Sequence, residues 1–316
     1  MFAIIVGLAI GFGVPLQTSI NSRLRDAFGS PFVSSFLSFL IGTIFLAIVT
    51  VATGASLGVS GAILTQQPTW LWLGGVFGVI YLTSNILLFP KLGSVQTVIF
   101  PVLGQILMGL LIDNFGWFRA RVQALSAVRG IGAVLVVIGV LVTVALPGYL
   151  ARRADKLGEN DRLHGRPEAS LWFWRLWGIF SGMLSASQTA INGDLGLVLH
   201  SAVKAALISF LIGTVLLALI VIGQHPHLTY RESVPVHRWW MWLGGVIGAF
   251  FVLGNAYLAP TIGIGPAVVI VLIGLMTGSL LVDQFGWLGA KHNPITGLQI
   301  LGLLVMVGGV VLIRLV

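Results

Sequence analysis

The chain has 316 residues, 57% of them hydrophobic and only 8% charged, with a mean hydropathy of +1.03. A soluble globular domain carries charge at roughly a quarter of its positions, so composition excludes that class and leaves the bilayer as solvent. A third of the Lys and Arg behind the net charge of +8 lie between Arg152 and Arg175, so the charge reads as a topology signal rather than a nucleic-acid footprint.

Apolar runs long enough to cross about 30 Å of hydrocarbon fall at 2–23, 32–53, 69–89, 94–112 and 124–146, then at 172–195, 202–223, 239–258, 262–282 and 296–315. The runs are continuous rather than alternating, which excludes a β-barrel. Met1 enters the first run with no basic residue ahead of it, so this run is expected to stay as a span rather than be cleaved as a signal peptide. It carries Gly11, Gly13 and Pro15, which weaken or bend a helix, then Gln17 and Asn21, four apart and so on one helix face. The second run carries Ser38 to Thr43. The third holds Asn85, the fourth begins after the breaker Gly93, and Asp113 ends it beside a Gly-Trp turn.

A polar stretch with mixed charge, 148–171, separates this unit (1–147) from its repetition (172–316). Gln17 and Asn21 return as Gln188 and Asn192, Ser38 to Thr43 as Ser209 to Thr214, Asn85 as Asn255, and Asp113 to Trp117 as Asp283 to Trp287. The offset drops by one residue between the second and third spans, which places the slip in a loop. A unit this long is no solenoid repeat. It is a duplicated helical bundle, and five spans per copy force the copies into opposite orientations. The expected fold is therefore all-α and integral to the membrane, with ten transmembrane helices as two inverted five-helix repeats.

Five Lys and Arg (Arg119, Arg121, Arg129, Lys204, Arg314) fall on the side of the N-terminus and twelve on the other. The positive-inside rule then makes the linker 148–171 cytoplasmic and puts both termini outside. Tryptophans at 70, 72, 117, 172, 174, 239, 240, 242 and 287 suit headgroup anchors. Gly7 with Gly11, Gly74 with Gly78, Gly244 with Gly248 and Gly274 with Gly278 form small-xxx-small pairs for close helix packing.

Polar side chains in hydrocarbon need a partner or water. Gln17, Asn21, Asn85, Gln188, Asn192 and Asn255 are accordingly the candidate substrate contacts, with interhelical bridging as the alternative. Hydroxyls are discounted, since their own helix carbonyls satisfy them. Asp113 and Asp283 are candidates for coupling or gating, against a plain interfacial capping role. The sequence lacks Cys, so disulfide, thiol and thiolate-metal chemistry are absent. His225-Pro226-His227 is a weak metal signal, and no metal, cofactor or enzymatic acid/base pair is expected.

These motifs resemble the bacterial YdcZ-type membrane proteins of the drug/metabolite transporter superfamily. The resemblance rests on Gln17-x-x-x-Asn21, Ser38-Phe-x-x-Gly-Thr43 and Asp113-x-Phe-Gly-Trp117, each with its second copy, and covers nearly the whole chain. It implies five-helix modules, here fused, and an inner-membrane location. It implies export of a small molecule through a central cavity lined by the first four helices of each half, and on this chain that cavity maps onto the six amides. Related small multidrug exporters rely on a Glu in their first helix. This chain has none there, which argues against cationic drugs and for a neutral, zwitterionic or amphipathic solute. The expected partners are that solute and lipid, with no nucleic acid. A fused monomer suffices in principle without excluding a homodimer. A non-transporting module that binds a partner subunit through its glycine-lined faces is the alternative.

Overall fold

The computed structural model describes residues 1–120, 122–155, 168–224, 238–262, 264–290, 292 and 294–315. Every regular element among them is helical: α1 (Phe2–Phe28), α2 (Pro31–Ala52), the short α3 (Gly61–Gln66), α4 (Gly74–Phe115), α5 (Ala127–Asp155), α6 (Glu168–Val198), α7 (Ala202–Gln224), α8 (Gly244–Ile262), α9 (Ile264–Phe285) and α10 (Gly297–Leu315). By length and composition α1, α2, α4 and α7 are able to cross a membrane, and shorter apolar stretches occupy Ala127–Thr143, Gly244–Asn255, Ile270–Phe285 and Gly297–Ile313. α5 and α6 run into the polar stretch from either side. His225-Pro226-His227 lies outside the described residues.

Local chemistry sets the helix ends. Gly29 in the left-handed conformation (φ 72°) closes α1, and Ser30 accepts the Val33 N–H to open α2, with Pro31 in its first turn. The duplication extends to backbone detail. Tryptophan-rich 3-10 turns, Thr69–Trp72 and Trp239–Trp242, lead into α4 and α8, and Gly116 and Gly286 (φ 66° and 60°) end α4 and α9.

The third and fourth apolar runs both lie in α4, which is broken at Gly93 (φ 77°, ψ 177°), a conformation that a Cβ would strain. On a straight helix Gly74 and Gly104 would stand about 45 Å apart. They meet α6 at Asn192 and Ile179, only about 20 Å apart along that helix. The two arms of α4 therefore fold back on each other, both against α6. Asp283 of α9 caps the break: its two carboxylate oxygens accept the N–H groups of Ser94 and Val95 at 2.9 and 3.1 Å. The second arm thus starts with two of its orphan donors paired by a carboxyl group.

α1, by contrast, runs unbroken through Pro15, so the residues expected to weaken or bend the first helix do not interrupt it. Proline removes one hydrogen bond and presses on the carbonyl four residues back, here that of Gly11. α9 lies directly against this turn, with the Val271 carbonyl over Gly11, and packing overrides the local weakness. α6 is likewise continuous through Ser181, Ser185 and Ser187.

The copies pack reciprocally. Gly11 of α1 faces the Val271 carbonyl of α9, and Gly182 of α6 faces the Pro101 carbonyl of α4, the equivalent pair. Gly132 meets Gly309 while Gly139 meets Gly302, which joins α5 to α10. Where α2 crosses α7, equivalent residues touch each other: Phe39 and Phe210 at 5.0 Å between ring centroids, and the Thr43 and Thr214 hydroxyls at 2.8 Å. Self-matched contacts of this kind are what a two-fold relation between copies produces.

Two outcomes test this packing by thermal unfolding in detergent. Gly182→Ile, whose side chain would overlap the Pro101 backbone, should cost about 1–3 kcal/mol. Gly193→Ala, with nothing within 4 Å, should be neutral or stabilising by up to about 1 kcal/mol. Asp283→Ala should lose about 1–2 kcal/mol by removing the cap, and Asp283→Asn, which keeps one acceptor, should fall between it and the native protein.

Candidate functional site

The Gln-x-x-x-Asn faces of α1 and α6 lie on the Gly-x-x-x-Gly faces of the opposite copy. Gln17 and Asn21 sit over Gly248 and Gly244 of α8, and Gln188 and Asn192 over Gly78 and Gly74 of α4, so a Cβ at any of these glycines would strike an amide. Asn21 Nδ2 donates to Ser38 Oγ and Asn192 Nδ2 to Ser209 Oγ, each at 3.2 Å. The two Oδ1 atoms are buried without a conventional donor. Each occupies the space that a Cβ at Gly244 or Gly74 would take, an arrangement that recurs in both copies. Within the described residues these four amides pack on glycines of the opposite copy, while the hydrogen bonds of Asn21 and Asn192 join α1 to α2 and α6 to α7 inside each copy.

Asn85 and Asn255 occupy equivalent positions in different surroundings. Asn85 is 3% exposed, and its Oδ1 has no hydrogen-bond partner. One turn earlier on the same face, the Tyr81 hydroxyl interacts with Asn85, Gln105 and Ser185. Gln105 Nε2 donates to Ser185 Oγ at 3.1 Å and to Tyr81 at 3.5 Å, so both arms of α4 and α6 supply one polar cluster. Asn255 Nδ2 donates instead to the Phe251 carbonyl of its own helix at 2.8 Å. No hydrogen bond among the described residues joins the six amides to one another.

The two aspartates differ as well. Asp283 caps α4, whereas Asp113 Oδ2 accepts from Arg129 Nη2 at 2.7 Å, with Arg129 also donating to the Ile313 and Gln123 carbonyls. No cluster of His, Asp or Glu among the described residues suits a metal ion.

At the ends of α1 and α6 the copies are latched at equivalent positions by different chemistry. Arg23 Nε donates to the Leu288 carbonyl at 3.1 Å, and Gly289 makes room for the guanidinium. Asp194 accepts from Arg119 Nη1 at 3.2 Å, and Arg119 also donates to Gln67 and lies 5.6 Å from the centre of the Trp70 ring. Sequence reading passed over Tyr81, Gln105, Arg23, Arg119 and Asp194. The signal that finds them is the difference between the copies: Tyr81 stands where the other has Phe251, Gln105 where it has Leu275, and Arg119 where it has Gly289.

Comparison with known proteins follows the duplication. A family model described as "Putative inner membrane exporter, YdcZ" matches residues 2–142 and again 173–312. The inner membrane protein YdcZ of Escherichia coli (strain K12) is 27% identical over 135 residues, 42% of this chain and 87% of that protein. A solved structure described as "Crystal structure of protein" covers 98% of this chain and 96% of its own, with a TM-score of 0.59 at 18% identity. That likeness is one of fold. The family is one of membrane exporters, not of enzymes. With its unit present twice and nearly end to end, this chain belongs to the YdcZ family of bacterial inner membrane exporters.

Proposed function

We propose that the protein is a secondary transporter that exports a small, uncharged or zwitterionic polar solute by alternating access. Its moving parts are two inverted five-helix repeats, 1–147 and 172–316, giving ten spans, joined by a cytoplasmic linker at 148–171 with both termini outside. The observation that carries this reading is the pair of equivalent latches, Arg23 to Leu288 and Arg119 to Asp194. Each ties the first helix of one copy to the turn after the fourth segment of the other. In opposite orientations the copies would set one latch at each face of the membrane, and releasing them in turn opens one side at a time.

Asn85 and Asn255, in the third segments, are the solute contacts in this scheme. Gln17, Asn21, Gln188 and Asn192 line the seam across which the copies slide, held by few directional bonds. Asp283 and Asp113 fix the helix break and the start of α5, so their part in gating is positional. The glycine pairs favour this reading over a partner-binding module, because Gly7 and Gly11, Gly74 and Gly78, Gly244 and Gly248, Gly274 and Gly278 are all covered by side chains or backbone of this chain.

A thermal-stability screen across amino acids, sugars, metabolites and cationic drugs should find a stabilising solute, which then serves in proteoliposome flux. The double variant Asn85→Ala/Asn255→Ala should stay folded and lose saturable flux; full flux would remove these two residues from the site. The chain has no cysteine, so the pairs Arg119→Cys/Asp194→Cys and Arg23→Cys/Leu288→Cys can be introduced cleanly. Cross-linking either pair should stop flux, with recovery on reduction. A membrane-impermeant thiol reagent should reach the first pair from outside intact cells and the second only in inverted vesicles. Labelling of both pairs from one face would overturn the inverted arrangement.

A further inference from the structure

The copies pack alike but do not carry the same chemistry. Gly104 faces the Ile179 carbonyl as Gly274 faces the Leu8 carbonyl, and Gly182 faces Pro101 as Gly11 faces Val271. Yet the positions equivalent to Tyr81, Gln105 and Ser185 hold Phe251, Leu275 and Val14. The same interface is polar further along: the Trp177 indole N–H donates to Ser84 Oγ at 2.8 Å, where the other copy has Val6 and Gly254. Burying tyrosine, amide and hydroxyl groups in a helix contact costs free energy unless every group is paired. The apolar copy shows that the fold does not need them, so their placement calls for another reason.

Hydrogen-bond accounting indicates what is left over. The Tyr81 oxygen faces Gln105, Asn85 and the Ser185 hydroxyl, and Ser185 Oγ also takes the Gln105 amide, so of the two hydroxyl hydrogens one lies between Tyr81 and Ser185 and the other is left to donate. Asn85 Oδ1, deeply buried on the same face, lacks a donor. A donor and an acceptor thus stand unmet side by side. The charged side chains described along these helices are engaged elsewhere: Arg175 with Gln96 and the Trp172 ring, Lys91 with the Trp174 ring, Asp194 with Arg119, and Asp113 with Arg129. Arg175 and Asp194 are about 15 and 13 Å from Ser185 along α6.

Building on the transport reading, we propose that the solute is recognised off centre, in the α4–α6 contact, by Tyr81, Asn85, Gln105 and Ser185. The group they take is uncharged and both donates and accepts, as a carboxamide does, and is neither a carboxylate nor an ammonium. Asn85 accepts its N–H, Tyr81 donates to its carbonyl, and Gln105 with Ser185 holds the tyrosine in place.

The test compares benzamide, benzoate and benzylammonium, one ring with three charges, as ligands that raise the unfolding temperature of the full-length protein in detergent. The variant Tyr81→Phe/Gln105→Leu/Ser185→Val installs side chains that the other copy already packs at the equivalent contact. Tyr81→Phe alone removes the hydroxyl, with Gln105 keeping its shorter bond to Ser185. Benzamide should stabilise the native protein saturably, with its midpoint about tenfold higher in both variants. An undiminished benzamide response in a folded variant would overturn the assignment and leave the transport reading intact. A benzoate response exceeding that of benzamide and abolished by Arg175→Gln would overturn it in favour of the Arg175 end of α6, and a stronger benzylammonium response would overturn the uncharged class. Silence of the native protein toward all three would also overturn the assignment, while the cross-linking and flux assay judges transport separately.

Discussion

Helices in a bilayer have to associate without a hydrophobic drive between them, because lipid tails are as apolar as leucine. What remains is close contact, and the α1–α9, α4–α6 and α5–α10 crossings between the copies are made where at least one side has no side chain. Gly11 and Gly182 bring backbones together along α1–α9 and α4–α6, and Gly132 and Gly139 do so with Gly309 and Gly302 along α5–α10. Dispersion between tightly apposed atoms is small per pair and large in sum. A single added carbon at these points would open a gap along the whole helix pair.

The same constraint explains the amides. A Gln-x-x-x-Asn face and a Gly-x-x-x-Gly face share the spacing of one helix turn, so an antiparallel pair of helices can seat two amides over two glycines in register. Gln188 over Gly78 with Asn192 over Gly74, and Gln17 over Gly248 with Asn21 over Gly244, are two instances of one lock. Each asparagine keeps a single conventional bond, to Ser38 or Ser209. A seam with so few directional bonds holds position yet resists sliding little, which suits the proposed movement of one copy against the other.

Duplication alone would produce a molecule alike on both sides. This one has kept its symmetric packing and diverged in the polar groups set into it. Asp283 caps a broken helix while Asp113 pairs with Arg129. Arg119 meets Asp194 at one end, and Arg23 meets a backbone carbonyl at the other. The α4–α6 contact holds the Tyr81 cluster where α1 and α9 present Val14 and Leu275. Packing is the part that both copies must preserve; the polar groups are where they are free to differ.

Much of this was legible in the residues. Long apolar runs mean membrane-crossing helices because the backbone must satisfy its own hydrogen bonds there, and internal identity at Gln17, Ser38, Asn85 and Asp113 means duplication whatever the structure. The breaker Gly93 and the small-xxx-small pairs are equally local, since they depend on one residue's conformation or on spacing along one helix. Pro15 does not interrupt its helix, because α9 packs against the turn that proline weakens. Partnership was not legible. Gln17 faces Gly248 and Asp283 reaches Ser94 across some two hundred residues of chain, and nothing in a helix's own pattern says which other helix will cover it. The sequence by itself determined the solvent, the helices and the repeat, because those follow from composition and periodicity. Only the tertiary structure decided which helices the amides meet, which aspartate caps a break and which polar groups stay unmatched, because each answer depends on the atoms that another segment brings within hydrogen-bond reach.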